Sequence, residues 1–397
     1  MRLTDKELID IRRDLHMHPE LSHDEKRTAG VVQDHLRGLP FEVRTNVAGH
    51  GVIADLVGQH EGPTLLYRAD MDALPIEEDF EHSYGSQNPG VMHACGHDVH
   101  TTMGIGVARE LVARRSEIHG KVRFVFQPAE EAAPPPGQSI GAEKMVEEGV
   151  LEGVDAAFAL HVMPLLGVGN IGFTGGPVWA ASDLFDITIH GGMAHGAYPH
   201  EGRDPILAGA AIIQALQQIP SRIIDAREAC VLSVCRAQSG TAYNIIPDRM
   251  TLQGLLRTLE PTVRDKAMAQ AKIVVESTAL AFGCTAELQF VRGTHLTANH
   301  PALEEFVGEV VNAKHSDIGF VQFQPQMGAE DFAAFSRRIP GCYLFLGVRN
   351  EERGITHMIH TPRFDVDERS IGIGVNAMSD ALIELGQRWE SVAPSLT

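Results

Sequence analysis

The chain has 397 residues, with 52 Asp plus Glu against 33 Lys plus Arg and a formal charge of -19 with histidine neutral. That balance argues against nucleic acid and acidic membrane surfaces, which need clustered positive charge. A composition 44% hydrophobic and 21% charged matches an ordinary globular protein rather than a disordered chain.

At roughly 100 to 200 residues per domain, two or three domains are expected. No apolar run approaches the ~18 residues of a membrane span, and Met1 to Leu15 is a mixed-charge stretch without the apolar centre of a signal peptide. A cytoplasmic location is therefore expected. The cysteines, Cys95, Cys230, Cys235, Cys284 and Cys342, are odd in number, and a chain of this length builds its own core. No disulfide framework is expected.

The first predicted element is an amphipathic helix over Asp5 to Leu15, with Leu8, Ile11 and Leu15 on one face and His18-Pro19-Glu20 ending it. Strand-like and helix-like stretches then alternate: Thr64 to Arg68, Thr102 to Arg115, Lys121 to Phe126, Gly141 to Gly149 and Asp155 to Leu160. Such alternation predicts an α/β domain around a mostly parallel sheet. Pro134-Pro-Pro-Gly137 is the one low-complexity stretch.

Around Ser182 the pattern changes. A half-exposed strand, Leu184 to His190, precedes a helix over Asp204 to Gln218, strands at Val231 to Arg236 and Arg249 to Thr258, a helix over Thr262 to Phe282 and a strand at Ala286 to Val291. This order predicts a small α+β two-layer domain. After Thr294 the first pattern returns, with a helix from Pro301, a buried strand Cys342 to Val348 and a terminal helix Ile371 to Leu385. The predicted organisation is a discontinuous α/β domain, residues 1–182 and 295–397, interrupted by an inserted domain over 183–294.

Ligands in open α/β sheets bind beyond the carboxyl ends of the strands, and several apolar runs here finish in ionisable residues. Leu65 to Arg68 leads to Asp70 and Asp72, Val122 to Phe126 to Glu130 and Glu131, and Ala157 to Leu160 to His161, while Cys342 to Val348 precedes a loop with His357 and His360. Cys95-Gly-His97 adds a thiol and an imidazole able to turn to one transition-metal ion. Successive side chains of a strand point to opposite sides, so of Glu130 and Glu131 one is expected to ligate a metal and the other to face the substrate as a proton carrier. Cys230 and Cys235, an odd number apart on a predicted strand, are expected to pack in the core rather than chelate. The chain contains no Gly-x-x-x-x-Gly-Lys loop and no His-Glu-x-x-His helix.

Arg68-Ala-Asp-Met-Asp-Ala-Leu-Pro75, Met92-His-Ala-Cys-Gly-His-Asp-Val-His-Thr101, Phe126-Gln-Pro-Ala-Glu-Glu131, Ala159-Leu-His-Val-Met-Pro164 and His360-Thr-Pro-Arg-Phe-Asp365 together resemble the M20 metallopeptidase family. Within it they resemble the amidohydrolase branch of aminoacylases, hippurate hydrolases and indole-acetyl-amino-acid hydrolases. The resemblance runs from about residue 5 to 387. It implies two divalent metal ions, manganese or zinc, with cobalt or nickel as alternatives, bound by Cys95, His97, Glu131, His161 and His360. It further implies Glu130 as general base and acid, and Asp72, with Asp70, as carboxylates that orient a ligand imidazole. Asp70 stands where the wider family has a histidine ligand, and Cys-Gly-His where it has an aspartate, departures shared with the amidohydrolase branch.

The insert resembles the family's lid and dimerisation domain, with Ala194 in place of a usual glycine before His195. By that resemblance His195 reaches the oxyanion from a partner subunit, Asn244 and Arg257 contact the substrate carboxylate, and Gly328 belongs to a loop lining the cleft. The implied reaction is hydrolysis of an N-acyl amino acid, a small-molecule substrate, to a carboxylic acid and a free amino acid, by a homodimer joined through the lid domains or a higher oligomer. The alternatives are a dipeptidase or aminopeptidase using the same metals, and a metal-dependent binding protein without turnover.

Overall fold

The structure, a computed structural model, describes residues 2–79, 82–132 and 138–396. The Pro134-Pro-Pro-Gly137 stretch lies outside the described residues. The chain divides into two compact units, one of residues 1–176, 298–324 and 331–397, the other of 177–297 and 325–330. Among the described residues no helix is long and apolar enough to cross a membrane.

The larger unit is built on an eight-stranded sheet, in the order Phe41–Val47, Gly51–Val57, His119–Gln127, His60–Asp70, Ala156–Gly167, Gly341–Arg349, Asn170–Phe173, Gly319–Gln322. Its four central strands, from His119–Gln127 to Gly341–Arg349, run parallel. Their burial explains their apolar sequences: Gly341 to Val348 is buried at every position, as expected of a strand covered on both faces. The antiparallel strands over residues 41–57 have no counterpart in the sequence reading. Asp55 interrupts their apolar run, and its cost is offset by Arg123 on the next strand, whose Nη2 donates to Asp55 Oδ2 at 2.8 Å.

Helices cover this sheet. The first, Asp5–Met17, starts at a Thr4 and Glu7 capping box and buries Leu8, Ile11 and Leu15. Helix His97–Ala113 is buried along nearly its whole length, and a Cβ at Gly104 would meet the Phe126 ring at 2.7 Å. That close approach brings the helix start, and His97 with it, to the carboxyl ends of the parallel strands.

The smaller unit carries a four-stranded antiparallel sheet in the order Cys230–Ser239, Arg249–Thr258, Ala181–His190, Thr285–Arg292. In Ala181–His190 the odd positions Ala181, Asp183, Phe185, Ile187 and Ile189 are buried while their neighbours are more exposed, the alternation of a sheet covered on one face. Helices Pro205–Leu216 and Pro261–Ala281 supply that cover, packing Ile212, Leu216, Ala267 and Val275 against Phe185, Ile187 and Leu252. Cys235 corrects the expectation of core packing. A register shift between Val234 and Arg236 interrupts the ladder there, and Cys235 is exposed while Cys230 is half-buried.

Candidate metal centre

The residues at the strand ends converge. Gly96 adopts φ +86°, and a Cβ there would run into Val162 Cγ2, so only glycine allows the turn that places Cys95 and His97 side by side. Cys95 Sγ lies 3.5 Å from His161 Nε2. The other ring nitrogen of His161 is 2.7 Å from the Val162 carbonyl oxygen; its Nδ1–H donates there, which leaves Nε2 with a lone pair facing the thiol. His360, in the left-handed region at φ +60°, donates its backbone N–H to Ala94 O and brings Nε2 to 3.3 Å from Glu131 Oε1. Potential ligand atoms within 4.8 Å of one another form overlapping trios: Cys95, His97 and His161; Cys95, Glu131 and His360; His97, Glu130 and Glu131.

The last trio corrects the expectation that Glu130 and Glu131 point apart. The strand ends at Gln127, and Ala129 at φ +53° turns the chain so that both carboxylates approach His97. The alternation of an extended strand does not apply beyond that bend.

Two carboxylates orient the histidines. Asp72 Oδ1 lies 3.2 Å from His97 Nδ1, and its other oxygen accepts from Ser22 Oγ at 2.6 Å and from the Glu131 backbone N–H at 2.9 Å. Asp70 serves a different imidazole from the one expected. Its Oδ1 lies 2.6 Å from Nδ1 of His100, whose Nε2 accepts the Val162 backbone N–H at 2.9 Å; with both nitrogens engaged, His100 buttresses the strand that carries His161. Asp70 also accepts from buried Arg68, which reaches Asp331 at 3.0 Å. His100, Arg68 and Asp331 were not assigned roles from sequence. For His100 the signal was available, since it follows His97 by three positions on one helix face.

Electrostatics test whether these residues suit a cation. Burial opposes the charged form of His97, but Asp70 and then Asp72 outweigh it and lift the imidazole to about 10. Burial, with Glu131 and Glu130 adding to it, pushes the Cys95 thiol up. His161 is driven the other way, by burial and by His100, and stays neutral. Nε2 of His97 and Oε1 of Glu131 are buried with no hydrogen-bond partner among the described residues, a costly state for polar groups. An anionic nest with orphaned ligand atoms and a mixed thiol, imidazole and carboxylate donor set fits a divalent transition metal.

In the smaller unit, His195 and Asn244 lie together. His195 pairs with Ile245 in a two-stranded ribbon, and Gly196 N–H donates to Asn244 O at 2.8 Å. The exposed His195 accepts the Ala197 N–H at Nδ1, 3.0 Å away, so its proton rests on Nε2. Arg257 does not join them. It sits toward the far end of strand Arg249–Thr258, opposite Ser182 and Val231, roughly 27 Å along the strand from Arg249. Gly328 lies near that far end, accepting the Ala180 N–H at 2.9 Å, and a Cβ on it would meet the Trp179 ring at 2.7 Å.

The chain is similar along nearly its whole length to known proteins. The model of peptidase family M20/M25/M40 matches residues 66–384. Thermostable carboxypeptidase 2 of Saccharolobus solfataricus is 40% identical over 380 residues, 95% of this chain and 94% of its own. N-acetyl-L-cysteine deacetylase of Bacillus subtilis is 38% identical over 368 residues, 92% of this chain and 85% of its own. A Bacillus subtilis crystal structure, described as a dinuclear metal-binding peptidase of the M20 family, superposes with a TM-score of 0.85 at 35% identity, covering 96% of this chain and 98% of that one.

Proposed function

This chain belongs to peptidase family M20/M25/M40, and from that membership we propose that it is a metal-dependent amidohydrolase cleaving N-acyl amino acids to a carboxylic acid and a free amino acid. The observation that carries the reading is the set of overlapping ligand trios sharing Cys95, His97 and Glu131, because one ion leaves part of such a set unused. Cys95, His97, Glu131, His161 and His360 would hold two divalent ions of the manganese or zinc class. Bound there, such ions supply Lewis acidity that lowers the pKa of water and polarises an amide carbonyl.

The chain's own residues do the rest. Glu130 takes a proton from the attacking water and delivers it to the leaving nitrogen, so that the amine departs neutral. Asp72 holds the His97 tautomer that presents Nε2 to the metal side. The Nε2–H of His195, fixed by the Ala197 contact, donates to the oxyanion of the tetrahedral intermediate, supplied from the partner in a homodimer joined through the smaller units. Asn244, beside His195, binds the substrate carboxylate. Support for the N-acyl class comes from the deacetylase relative. The carboxypeptidase relative favours a second reading, in which the acyl part is itself a peptide and the same residues release its carboxyl-terminal amino acid.

Activity of the metal-loaded protein on acetyl- and benzoyl-amino acids, set beside unblocked dipeptides, tests the proposal. Preferential cleavage of the acylated substrates is expected. Cleavage confined to substrates with a free amino terminus would replace it with an aminopeptidase.

A further inference from the structure

A second group of ligand-type side chains stands apart from the trios at the strand ends. His16, at the end of the first helix, lies with Nε2 at 3.2 Å from Glu78 Oε1, and His82 Nε2 lies 2.7 Å from the same oxygen. The three ligand atoms fall within 4.8 Å of one another. We propose that His16, Glu78 and His82 form a third metal site, a structural one, that takes a zinc-class divalent ion and ties Glu78 and His82 to the first helix.

The donor set is the first reason. Two imidazoles and a carboxylate, completed by solvent, are a zinc-type ligand set, and two ligands of one tetrahedral zinc stand about 3.3 Å apart. The His16 and Glu78 atoms already have that spacing, while the His82 contact has to open by roughly 0.6 Å, a movement within side-chain torsion. The second reason is orientation. The other nitrogen of His16 is 2.8 Å from Asp98 Oδ2, so Nδ1–H donates to a carboxylate and Nε2 is turned toward Glu78, the arrangement by which carboxylates prepare imidazoles for metals. Asp98 is fully buried and therefore a fixed partner.

The third reason is charge. Arg12 approaches His16 Nδ1 at 3.4 Å but is bound by Asp98 at 2.8 Å and Asp365 at 3.1 Å, and Arg13 is bound by Glu368 at 2.7 Å. The carboxylates Glu78, Asp98, Asp365 and Glu368 thus outnumber the two guanidiniums, and the nest attracts a cation.

This inference stands apart from the hydrolase reading, because its readout is a metal count. The full chain is stripped with a chelator, reloaded with Zn2+, desalted and assayed by mass spectrometry for metal per chain, beside His82→Leu and His82→Gln. The expected result is one tightly held ion fewer in both variants, with unchanged far-ultraviolet circular dichroism and unchanged basal hydrolysis. Cobalt reloading separates the sites. The thiolate-to-cobalt absorption from Cys95 should persist in the variants, while the visible bands of the third ion disappear. Should His82→Leu fold poorly, His82→Gln, which keeps most of the volume, carries the count. Equal metal content in all three proteins would overturn the proposal and leave a salt-bridge cluster around Glu78. Loss of the Cys95 absorption would overturn it too, by tying His82 to the other ions.

Discussion

Replacing Asp72 by Asn removes a charge without removing volume, and its effect follows from three contacts. Asp72 is 1% exposed; it faces the His97 imidazole at 3.2 Å and accepts from Ser22 Oγ and the Glu131 backbone N–H. Asparagine has one acceptor oxygen for these donors, and its amide must face the remainder. The Ser22 hydroxyl can rotate to accept, but the His97 Nδ1–H and the Glu131 N–H cannot both be served. Losing one hydrogen bond to a charged group costs about 1.5–3 kcal/mol, which is about a 10- to 100-fold loss of metal affinity. That is the range usual for groups that orient metal-binding histidines. Competition against a fluorescent chelator measures it, with Ser22→Ala, which removes only the hydroxyl, expected to lose less than about tenfold. Wild-type affinity in Asp72→Asn, or a loss no larger than that of Ser22→Ala, would refute the reasoning.

Glu130→Gln should keep its metal and lose at least about a hundredfold in turnover, whereas Cys95→Ala should lose metal as well as activity; metal analysis and kinetics on the same preparations separate the two. His97 is lifted from 6.5 to about 10 in the metal-free protein, so its contribution to stability is complete below about pH 6.5 and is lost as pH rises through 10. Denaturant midpoints of metal-free protein should therefore fall across that interval, and adding ion at neutral pH should release protons; a flat profile without proton release would count against the charged nest. Mixing His195→Ala with Glu130→Ala under subunit exchange should restore part of the activity if His195 acts in trans, and no recovery despite demonstrated exchange would place it within its own chain or outside the reaction.

The parts of the site legible in the sequence were those governed by local chemistry. A strand ending at Asp70, one ending at Gln127 shortly before Glu130, a buried strand with His161 midway along it, and a glycine between Cys95 and His97 mark the centre, because an apolar strand and a left-handed turn leave visible residue patterns. The rest depended on contacts between distant residues. Asp331 joins Arg68 across an interval that no periodicity spans. Asp55 reads as a strand breaker until Arg123 is found beside it. Parity misled twice, because the bend at Ala129 and the register shift at Cys235 each break the alternation on which it rests. Arg257 and Asn244 looked like parts of one subsite, yet strand Arg249–Thr258 carries Arg257 away from the ribbon beside Asn244.

The central claim is that Glu130 and the surrounding ligands make this chain a hydrolase of N-acyl amino acids. It is tested most directly by release of free amino acid from a panel of N-acyl amino acids, using metal-loaded wild type, the chelator-stripped protein and Glu130→Gln side by side. The account predicts amino-acid release by the loaded wild type, none above background after stripping, restoration on adding metal back, and at least about a hundredfold less from Glu130→Gln at equal metal content. Release that survives stripping, or that proceeds at wild-type rate without the Glu130 carboxylate, would contradict it.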